Sequence, residues 1–368
     1  MTYRDLKLAR PEAQPFDVVL LHNVMTDWND GDREASVDAI HKMSHGLAEQ
    51  GYKTIPVAIY TDIEGPLKEF DPRQHVVFNW CEGIDGAPNG YHLVPPVLER
   101  RGFAYTGANA WALATTQDKA QTKTLLLEHD IPTPESKVFE RPVLDGWRRY
   151  PALVKPASEH CSYGITRESV VDSGPELKRA IEGVLDRWKQ PALVEDFIDG
   201  VEYNVSIWGN GRLRALPLAA IDYSAFPDYH DRLCTFDAKW DPDSEAFHLT
   251  SVQCPADVSD RLRERIESVS EAAYRALRLR DYGRIDLRVR RGVPYVFDVN
   301  SNPDITMEGG LARSARAAGL GYGQLVGRIV ELAARRMKKD PRPGRFSQVM
   351  SMPALPIRRR TVREPVPA

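Results

Sequence analysis

The sequence predicts a mixed protein in which an α/β unit is followed by two α+β units. From Phe16, short apolar runs such as "FDVVLLH", "TIPVAIY" and "HVVFNW" alternate with helical periodicity, which is typical of an open, partly parallel βαβ sheet. After residue 113 the strand-like runs follow one another through short turns, as antiparallel strands do. Near the end, "RIDLRV" and "FDVNSN" flank the turn "RRGVP" and predict a hairpin.

Each predicted unit has its own helices. The first helix carries Val37, Ile40, Met43 and Leu47 at helical spacing and ends at Gly51. The second unit contains "PELKRAIEGVLDRWKQ", and the third contains "ADVSDRLRERIESVSEAAYRALRL" and "YGQLVGRIVELAARRM". These patterns predict an N-terminal domain over 16–112, a central lid domain over 113–205, a C-terminal domain over 206–337, and a mobile tail rich in proline and arginine over 338–368.

Composition favours a globular protein that acts on small molecules. Of the 368 residues 42% are hydrophobic and 27% charged, and the formal net charge of −3 gives no basic field for nucleic acid. The four cysteines form no CxxC pair, and we find neither a secretory signal core nor an apolar run of about 20 residues. We therefore expect a reduced, cytoplasmic protein with no nucleic-acid or membrane partner.

The segment "FDVNSNPDIT", residues 297–306, alternates polar and apolar side chains. Because successive side chains of a strand point to opposite faces, the polar residues should share one face: Asp298, Asn300 and Asn302. Phe297 and Val299 should share the other face. The sequence therefore predicts a strand that is polar on one side only.

The hairpin should bring two carboxylates together. If its register is symmetric about Gly292, Asp286 faces Asp298 at about 5 Å, where like charges repel by roughly 3 kcal/mol at an effective dielectric of about 20. A cation between them would relieve this repulsion. Two carboxylates and an amide oxygen favour magnesium or manganese over zinc or copper. A solvated hairpin edge is the alternative that these residues leave open.

Several segments could bind a nucleotide without a glycine-rich phosphate loop, since neither GxxxxGK[ST] nor GxGxxG occurs. Lys119 and Lys155 could neutralise phosphate, and the small polar loop "SEHCSYGI" could close over it through backbone amides. Glu195 and Glu202 suit an adenine amino group and ribose hydroxyls, respectively. Taken singly, surface lysines and solvated loop acids are the alternative interpretation.

As an ordered series, these segments resemble the D-alanine:D-alanine ligase branch of the ATP-grasp superfamily over residues 16–337. The resemblance is carried by "TTQDKAQTKTLLLEHDIPTP", "PALVKPASEHCSYGI", "ALVEDFIDGVEYNV", "FDAKW", "CPADV", "YGRIDLRV", "VFDVNSNPDIT" and "ARAAGLGYGQLVGRIVELA". It implies an ATP-grasp fold of three domains, in which an open Rossmann-like sheet precedes two α+β domains that sandwich ATP. It also implies a homodimer.

The resemblance assigns roles to residues of the nucleotide site. The phosphate contacts are Lys119, Lys155 and Lys239, with Cys161 and Ser162 in the closing loop. The adenine hinge consists of Glu195, Asp196, Phe197 and Ile198, and Glu202 holds the ribose. Two Mg²⁺ ions, replaceable by Mn²⁺, are held by Asp286, Asp298 and Asn300. Arg284 and Lys239 are catalytic, and Arg284 stabilises a tetrahedral oxyanion, with a structural salt bridge as its alternative role.

The substrate-binding positions depart from those of the relatives. The serine and tyrosine that link the closing loops are here Cys161 and Trp240. A histidine is replaced by Glu82, and the glutamate that anchors the first substrate appears as Asp32. Asp304 replaces a glycine, and Gly309 and Gly310 replace the serine and leucine that receive the acceptor carboxylate. Asn302 completes the predicted substrate-binding set.

The resemblance implies a ligase reaction on amino-acid-like or peptide substrates. A substrate carboxylate attacks the γ-phosphate of ATP to give an acyl phosphate, and an amine then displaces phosphate to give an amide and ADP. Glu82, Asp304 and, as a third candidate, Glu308 add negative charge, which predicts a cationic or amine-rich substrate rather than D-alanyl-D-alanine synthesis. The alternatives are an ATP-binding regulatory protein and a phosphotransferase that forms no amide.

Overall fold

The structure is a computed structural model that describes residues 14–87, 89–144, 146–159, 162–241 and 243–337. The predicted tail over 338–368, Cys161 and the Trp240 side chain lie outside the described part of the chain. Three sheets organise the described residues. Among these residues, no helix combines the length and the apolar character that crossing a membrane requires.

The first sheet is open, as predicted, and all its strand pairs are parallel, where the sequence predicted a partly parallel sheet. Its strand order is β2-β1-β3-β4, and the strands are β1 (Asp17–Asn23), β2 (Thr54–Ile59), β3 (His75–Trp80) and β4 (Ala104–Tyr105). Two helices connect them, α1 (Asp30–Ala48) and α2 (Val94–Arg101). The N-terminus of α1 is fixed by Asn29, whose side chain accepts the Asp32 backbone N–H at 2.9 Å.

The second sheet is antiparallel, with the order β5-β8-β6-β7. Its strands are β5 (Ser136–Phe139), β6 (Ala152–Pro156), β7 (Val170–Val171) and β8 (Ala192–Asp196). Helices α3 (Ala110–Gln117) and α4 (Lys119–Glu128) precede it, and α5 (Gly174–Trp188) covers it. Leu177, Ile181 and Val184 recur at helical spacing and bury one face of α5 against the sheet.

The third sheet is also antiparallel, with the order β12-β11-β9-β13-β14, and β10 pairs with β9. Its strands are β9 (Glu202–Trp208), β10 (Arg214–Ala215), β11 (Ala219–Asp222), β12 (Ser251–Gln253), β13 (Tyr282–Arg290) and β14 (Val293–Asn300). The helices of this part are α6 (Phe236–Trp240), α7 (Glu245–Leu249), α8 (Asp260–Ala276), α9 (Gly310–Ala317) and α10 (Tyr322–Ala334).

Two of the predicted domain boundaries fall inside secondary-structure elements. The boundary after residue 112 lies within α3. The boundary after residue 205 lies within β9, which pairs with the third sheet from its first residue, Glu202, opposite Ile221 and Arg288. By sheet membership, residues 202–205 therefore belong with the third unit. The division into three domains itself stays a prediction.

A β-bulge sets the register of the β13–β14 hairpin. Its turn consists of Arg291 and Gly292, both left-handed with φ of 53° and 74°, and a two-residue turn of this kind is favoured between twisted strands. Continued unchanged, the register would place Asp286 opposite Phe297. A register shift between Asp286 and Leu287 instead brings Asp286 opposite Asp298. The predicted pairing is confirmed, but the symmetry about Gly292 is wrong.

The bulge also changes the environment of Phe297. Val296 and Val299 both pack in the core beneath the third sheet, so strict alternation is broken between them. The ring of Phe297 lies 5.8 Å from Lys155 Nζ of β6. The expectation that Phe297 shares the apolar face with Val299 is therefore wrong, because the extra residue in the bulge turns Phe297 toward the second sheet.

A buried carboxylate joins the first and third sheets. Asp281, with 0% of its surface exposed, accepts the Gly107 N–H at 2.9 Å and the Asn210 amide at 2.8 Å. Arg336, just after α10, donates to both oxygens of Asp281 at 2.7 and 2.6 Å. These contacts fix the end of the first sheet beside β13.

We expect Asp281→Ala to lower the free energy of unfolding by about 3–5 kcal/mol, because it leaves buried donors and the Arg336 charge without their acceptor. Urea denaturation measures this change. Asp260→Ala is the matched control, since the Asp260 side chain is 86% exposed and its ion pair with Arg263 lies at the surface; its effect should stay within about 0.5 kcal/mol. Equal losses in the two variants would contradict this role of Asp281.

Candidate functional site

The candidate site lies between the second and third sheets. Contacts between the two sheets around it include Lys155 Nζ with the Phe297 ring, the Arg290 guanidinium with Asp196 at 2.5 Å, and Arg288 Nη1 with the Ile198 carbonyl at 3.2 Å. Strand β6 and the end of β8 supply residues from one side, and β9, β13 and β14 supply them from the other. The predicted nucleotide and metal residues therefore converge from separate parts of the chain.

Asp286 is the most heavily hydrogen-bonded carboxylate of the site. Arg284 binds it with two bonds of 2.8 Å, from Nε to Oδ1 and from Nη2 to Oδ2. Asn204 donates to Oδ1 at 2.9 Å, and the Asn300 amide donates to Asp286 at 3.0 Å and to Asp298 at 3.3 Å. Positive or partly positive groups thus surround the facing pair of carboxylates, as the charge argument requires.

Electrostatics at this hairpin favour a bound cation. Burial raises the pKa of Asp286, and the charge of Asp298 raises it further, while Arg284 opposes both effects. For Arg284, burial favours the neutral form, but the Asp286 and Asp298 charges outweigh it and raise the pKa. A divalent cation would stabilise both ionised carboxylates.

The donor set fits magnesium. The side chains of Asp286, Asp298 and Asn300 offer only oxygen ligands, which suit a hard cation. Within the described ranges of the chain, no three His, Cys, Asp or Glu side chains are placed to hold a metal. The Asn300 amide nitrogen donates to both carboxylates, so the amide oxygen is the atom of Asn300 that would complete the predicted set.

A buried cluster of lysines faces the hairpin. Glu195 accepts Lys155 Nζ at 2.6 Å on one oxygen and lies 2.8 Å from Lys123 Nζ on the other. Burial alone would raise the pKa of Glu195, but the two lysines lower it. Burial lowers the pKa of Lys119, against the opposing charge of Asp298. A bound polyanion would therefore stabilise the charged form of these buried lysines.

Lys123 was not predicted. The only signal in "QDKAQTK" is that it follows Lys119 by four residues, which places both lysines on one face of α4. Because both oxygens of Glu195 are engaged by lysines, its side chain does not fit the predicted role of accepting from an adenine amino group. That contact would fall to backbone atoms of the hinge.

The predicted hinge residues lie at the end of β8. Asp196, Phe197 and Ile198 continue from β8, and each contacts an arginine of β13: Asp196 pairs with Arg290, while the Phe197 ring lies 5.4 Å from the Arg288 guanidinium. The Ile198 carbonyl accepts Arg288 Nη1. The hinge is therefore held against the third sheet by two arginines that sequence reasoning missed.

Glu202 lies buried beside the hinge. Arg288 donates to Glu202 Oε2 from Nε at 3.0 Å and from Nη2 at 2.9 Å, and the Tyr223 hydroxyl donates to the same oxygen at 3.1 Å. All three bonds end on Oε2, so a ribose hydroxyl would bind at Oε1. Neither Arg288 nor Tyr223 carried a recognisable signal in the sequence.

The loop after β6 meets the segment around α6. Ser162 Oγ donates to the Cys234 carbonyl at 2.6 Å and accepts from Lys239 Nζ at 2.8 Å. Two of the predicted phosphate-contacting residues, Ser162 and Lys239, are thus brought together. Cys161 and the Trp240 side chain lie outside the described residues, so their predicted roles stay predictions.

The substrate end of the site surrounds the start of α9. Asn302 accepts from the Tyr282 hydroxyl at 3.0 Å and donates to the Cys81 carbonyl at 3.3 Å. A Cβ atom built on Gly310, the first residue of α9, would lie 4.0 Å from Arg284 Nη1. Arg284 therefore extends from the paired carboxylates to the first turn of α9.

Asp304 and Gly309 are sterically coupled. Asp304 Oδ1 accepts the Thr306 N–H at 2.8 Å and the Thr306 hydroxyl at 2.7 Å. A Cβ atom at Gly309 would lie 2.8 Å from Asp304 Oδ2, closer than real side chains approach. The Asp304 carboxylate thus occupies the space that a side chain at residue 309 would need.

Glu82 is a solvent-exposed residue, but protein atoms packed around its carboxylate remove part of its hydration. This desolvation, together with the charge of Asp304, raises the pKa of Glu82 to about 7. Its backbone N–H is held by the Asn23 side chain at 2.8 Å. Glu82 and Asp304 therefore interact across the substrate end of the site.

Two predicted acidic residues have other partners. Asp32 lies in the first turn of α1, where its carboxylate accepts the Asn29 N–H at 3.4 Å as part of a capping box. Glu308 is paired with Lys42 of α1 at 3.0 Å, and Lys42 also pairs with Asp38 at 2.9 Å, so the charge of Glu308 is only partly compensated. Its predicted role stays a prediction, and helix capping accounts for Asp32 without a substrate.

Comparison with known proteins places these observations in a family context. The family model described as "D-ala D-ala ligase C-terminus" matches residues 123–331, more than half of the chain. The chain is 33% identical over 267 residues to "Uncharacterized protein y4sG" of Sinorhizobium fredii, covering 71% of this chain and 75% of the relative. It is 29% identical to a D-alanine–D-alanine ligase of Desulforudis audaxviator, covering 83% of this chain and 95% of that protein.

The fold is similar to a solved D-alanine–D-alanine ligase structure from Bacillus anthracis, complexed with ATP, with a TM-score of 0.66. At 24% sequence identity the similarity covers 87% of this chain and 98% of that one. The predicted ATP-grasp fold is confirmed.

The raised pKa of Glu82 predicts a pH-dependent stability. Because the folded-state pKa of about 7 lies above the ordinary value of 4.5, the folded protein holds this proton more tightly than the unfolded chain. Stability relative to Glu82→Gln should therefore fall as pH rises from about 4.5 to about 7. Urea denaturation across this range measures the difference. Asp304→Asn should reduce this loss of stability with rising pH. Parallel pH profiles of stability for wild type and Glu82→Gln would contradict the raised pKa of Glu82.

Proposed function

Because this chain belongs to the D-Ala–D-Ala ligase family of ATP-grasp proteins, we propose that it is an ADP-forming carboxylate-amine ligase. The observation that carries the proposal is the register of the β13–β14 hairpin, which sets Asp286 opposite Asp298 in front of a buried lysine cluster. A nucleotide with a bound metal ion requires carboxylates that bind the cation and lysines that neutralise the phosphates.

The nucleotide would lie between the second and third sheets. Its base would contact the hinge, residues 196–198, and the apolar ring of Phe297. Its ribose would bind Glu202, and its phosphates would be neutralised by Lys119, Lys155 and Lys239. Magnesium bound by Asp286, Asp298 and Asn300 would neutralise the charge that develops on the phosphates during transfer.

The chemistry proceeds in two steps. A substrate carboxylate oxygen attacks the γ-phosphorus while the bond to the ADP oxygen breaks, which leaves an acyl phosphate. An amine nitrogen then attacks the acyl carbon, loses a proton, and phosphate departs as the amide forms. The protein's role is to hold the reacting groups together and to keep water from the acyl phosphate.

Arg284 is suited to the second step. Its Nε and Nη2 are engaged by Asp286, which fixes the plane of the guanidinium. Nη1 is the nitrogen beside the first turn of α9. An oxyanion that develops on the acyl carbon would be stabilised there by a fixed positive donor, whose position does not have to change during the reaction.

We further propose that the acceptor amine is a molecule that places no carboxylate group beside Gly309. Asp304 already places a negative charge at the start of α9, where the helix dipole attracts anions. An acceptor carboxylate at this position would meet that charge, and the ionised form of Glu82 adds a second one. A neutral or cationic amine, such as a diamine, is favoured by the same charges.

The proposed function predicts amide formation from Mg-ATP, an amino-acid carboxylate and an amine. In a panel of donors and acceptors, a diamine should be a better acceptor than D-alanine by about tenfold, since one unfavourable charge contact costs on the order of 1 kcal/mol or more. Coupled ADP assays and mass spectrometry of the products measure both turnover and product. Asp304→Asn should reduce the preference for the diamine over D-alanine.

Asp298→Asn is the control for the reaction, because it removes one metal carboxylate and keeps the side-chain size. We expect it to reduce turnover by about 100-fold or more. Asp260→Asn is the matched control for Asp304→Asn, since Asp260 is an exposed residue of α8 outside the candidate site, and it should leave the acceptor preference unchanged. ADP release without amide would support a phosphotransferase instead, and nucleotide binding without turnover on any pair would support a regulatory protein. The cytoplasmic location and the homodimer stay predictions.

A further inference from the structure

The peptide unit between Cys81 and Glu82 is hydrogen-bonded on both sides. Its carbonyl, on Cys81, accepts from Asn302 Nδ2 at 3.3 Å, and its N–H, on Glu82, donates to Asn23 Oδ1 at 2.8 Å. Because a trans peptide is planar and its C=O and N–H point in opposite directions, two such partners fix both the position and the rotation of the unit. We name this pair of bonds the asparagine clamp.

The amide of Asn302 has a fixed orientation. Its Oδ1 accepts from the Tyr282 hydroxyl at 3.0 Å, and Tyr282 is fully buried. The Cys81 carbonyl can only accept, so the donor end of the amide has to face it, which leaves the oxygen end for Tyr282. Both ends of Asn302 are thus engaged by protein atoms, although the sequence predicted a substrate contact for this residue.

The asparagine clamp connects the first sheet to the strand of the predicted metal site. Asn23 is the last residue of β1, and Cys81 directly follows β3. Asn302, in contrast, lies two positions after Asn300, the last residue of β14. The clamp therefore sets the place of Glu82 relative to the β13–β14 hairpin, which carries the paired carboxylates.

Glu82 leaves the clamp toward a second carboxylate. The Cys81 side chain is 1% exposed and packs in the core of the first sheet, whereas Glu82 is exposed. The titratable groups around Glu82 include Asp304, the Tyr282 hydroxyl and the Cys81 thiol. Because the carboxylates of Glu82 and Asp304 repel each other when both are ionised, a chain free to pivot here would carry Glu82 away. The fixed peptide opposes that movement.

We infer that the asparagine clamp sets the acceptor specificity of this chain by fixing where the Glu82 carboxylate lies, with Asn23 and Asn302 as positioning residues. Neither asparagine carries a charge, so each acts on the acceptor through Glu82. A loosened clamp would let Glu82 turn away, and the charge that favours a cationic amine over an amino-acid carboxylate would weaken. The inference rests on the proposed function, because an acceptor preference exists only if the chain forms an amide.

The experiment measures kcat/KM for a diamine and for D-alanine as acceptors, with Mg-ATP and one donor, on the full-length protein. At pH 8, above the pKa of about 7 of Glu82, its carboxylate is ionised. Glu82→Gln should then reduce the ratio of the two kcat/KM values by roughly three- to fivefold. Asn302→Leu and Asn23→Leu, which keep the approximate side-chain size and lose the hydrogen bonds, should each reduce it by about two- to threefold.

Further variants distinguish positioning from a general structural role. Asn302→Leu combined with Glu82→Gln should show the ratio of Glu82→Gln alone, since the clamp acts through that carboxylate. Tyr282→Phe, which keeps the ring and removes the hydroxyl bound to Asn302, should shift the ratio in the same direction. Asn109→Leu is the matched control, because Asn109 is a half-buried asparagine that caps α3 by accepting the Ala112 N–H at 2.9 Å. Its ratio should equal that of wild type.

The outcomes separate this inference from the proposed function. Unchanged ratios in folded Asn302→Leu and Asn23→Leu would overturn the clamp and leave the ligase standing, as would an effect that adds fully to that of Glu82→Gln. If the wild type forms no amide with any pair, the proposed function fails, and urea denaturation tests the clamp alone. The loss of stability that Glu82 causes between about pH 4.5 and 7 should then shrink in Asn302→Leu, because the freed carboxylate moves away from Asp304. An unchanged loss would overturn the clamp.

Discussion

The site depends on one extra residue in a β-hairpin. The two-residue turn at Arg291 and Gly292 alone would set Asp286 opposite Phe297, and the bulge beside Leu287 sets it opposite Asp298. Two carboxylates facing each other are unfavourable unless positive charge lies nearby. Arg284 and the surrounding amides supply part of that charge, and a divalent cation would supply the rest.

The lysines on the other side of the site carry the opposite charge to the β13–β14 hairpin. Lys119, Lys123 and Lys155 are all buried, and Glu195 compensates only part of their charge. The third sheet therefore has an excess of negative charge at the site, and the side of the second sheet has an excess of positive charge. A polyphosphate with bound metal ions would balance both at once. Because the acidic and basic groups belong to different sheets, the bound nucleotide would also connect the two sheets.

Sequence patterns predicted much of this architecture, because the strands and the first parallel sheet follow directly from hydrophobic periodicity. The pairing of Asp286 with Asp298 was also predicted, but from an assumed symmetry about Gly292. It depends instead on a β-bulge, which the amino-acid composition does not reveal. Arg288, Tyr223 and Lys123 were missed because isolated charged and aromatic residues acquire meaning only through partners distant in sequence. The pairing of Glu308 with Lys42 was missed for the same reason, since the two residues lie 266 positions apart in sequence. Substrate-facing residues are the least predictable, because their roles depend on loop geometry rather than on periodicity.

A crystal structure of the protein with AMPPNP and Mn²⁺, solved with anomalous data, would test the central claim most directly. The account predicts anomalous peaks about 2.1–2.2 Å from carboxylate oxygens of Asp286 and Asp298, with the phosphates lying between these ions and the lysine cluster. A nucleotide held by the lysines alone, with manganese absent from the β13–β14 hairpin, would contradict it.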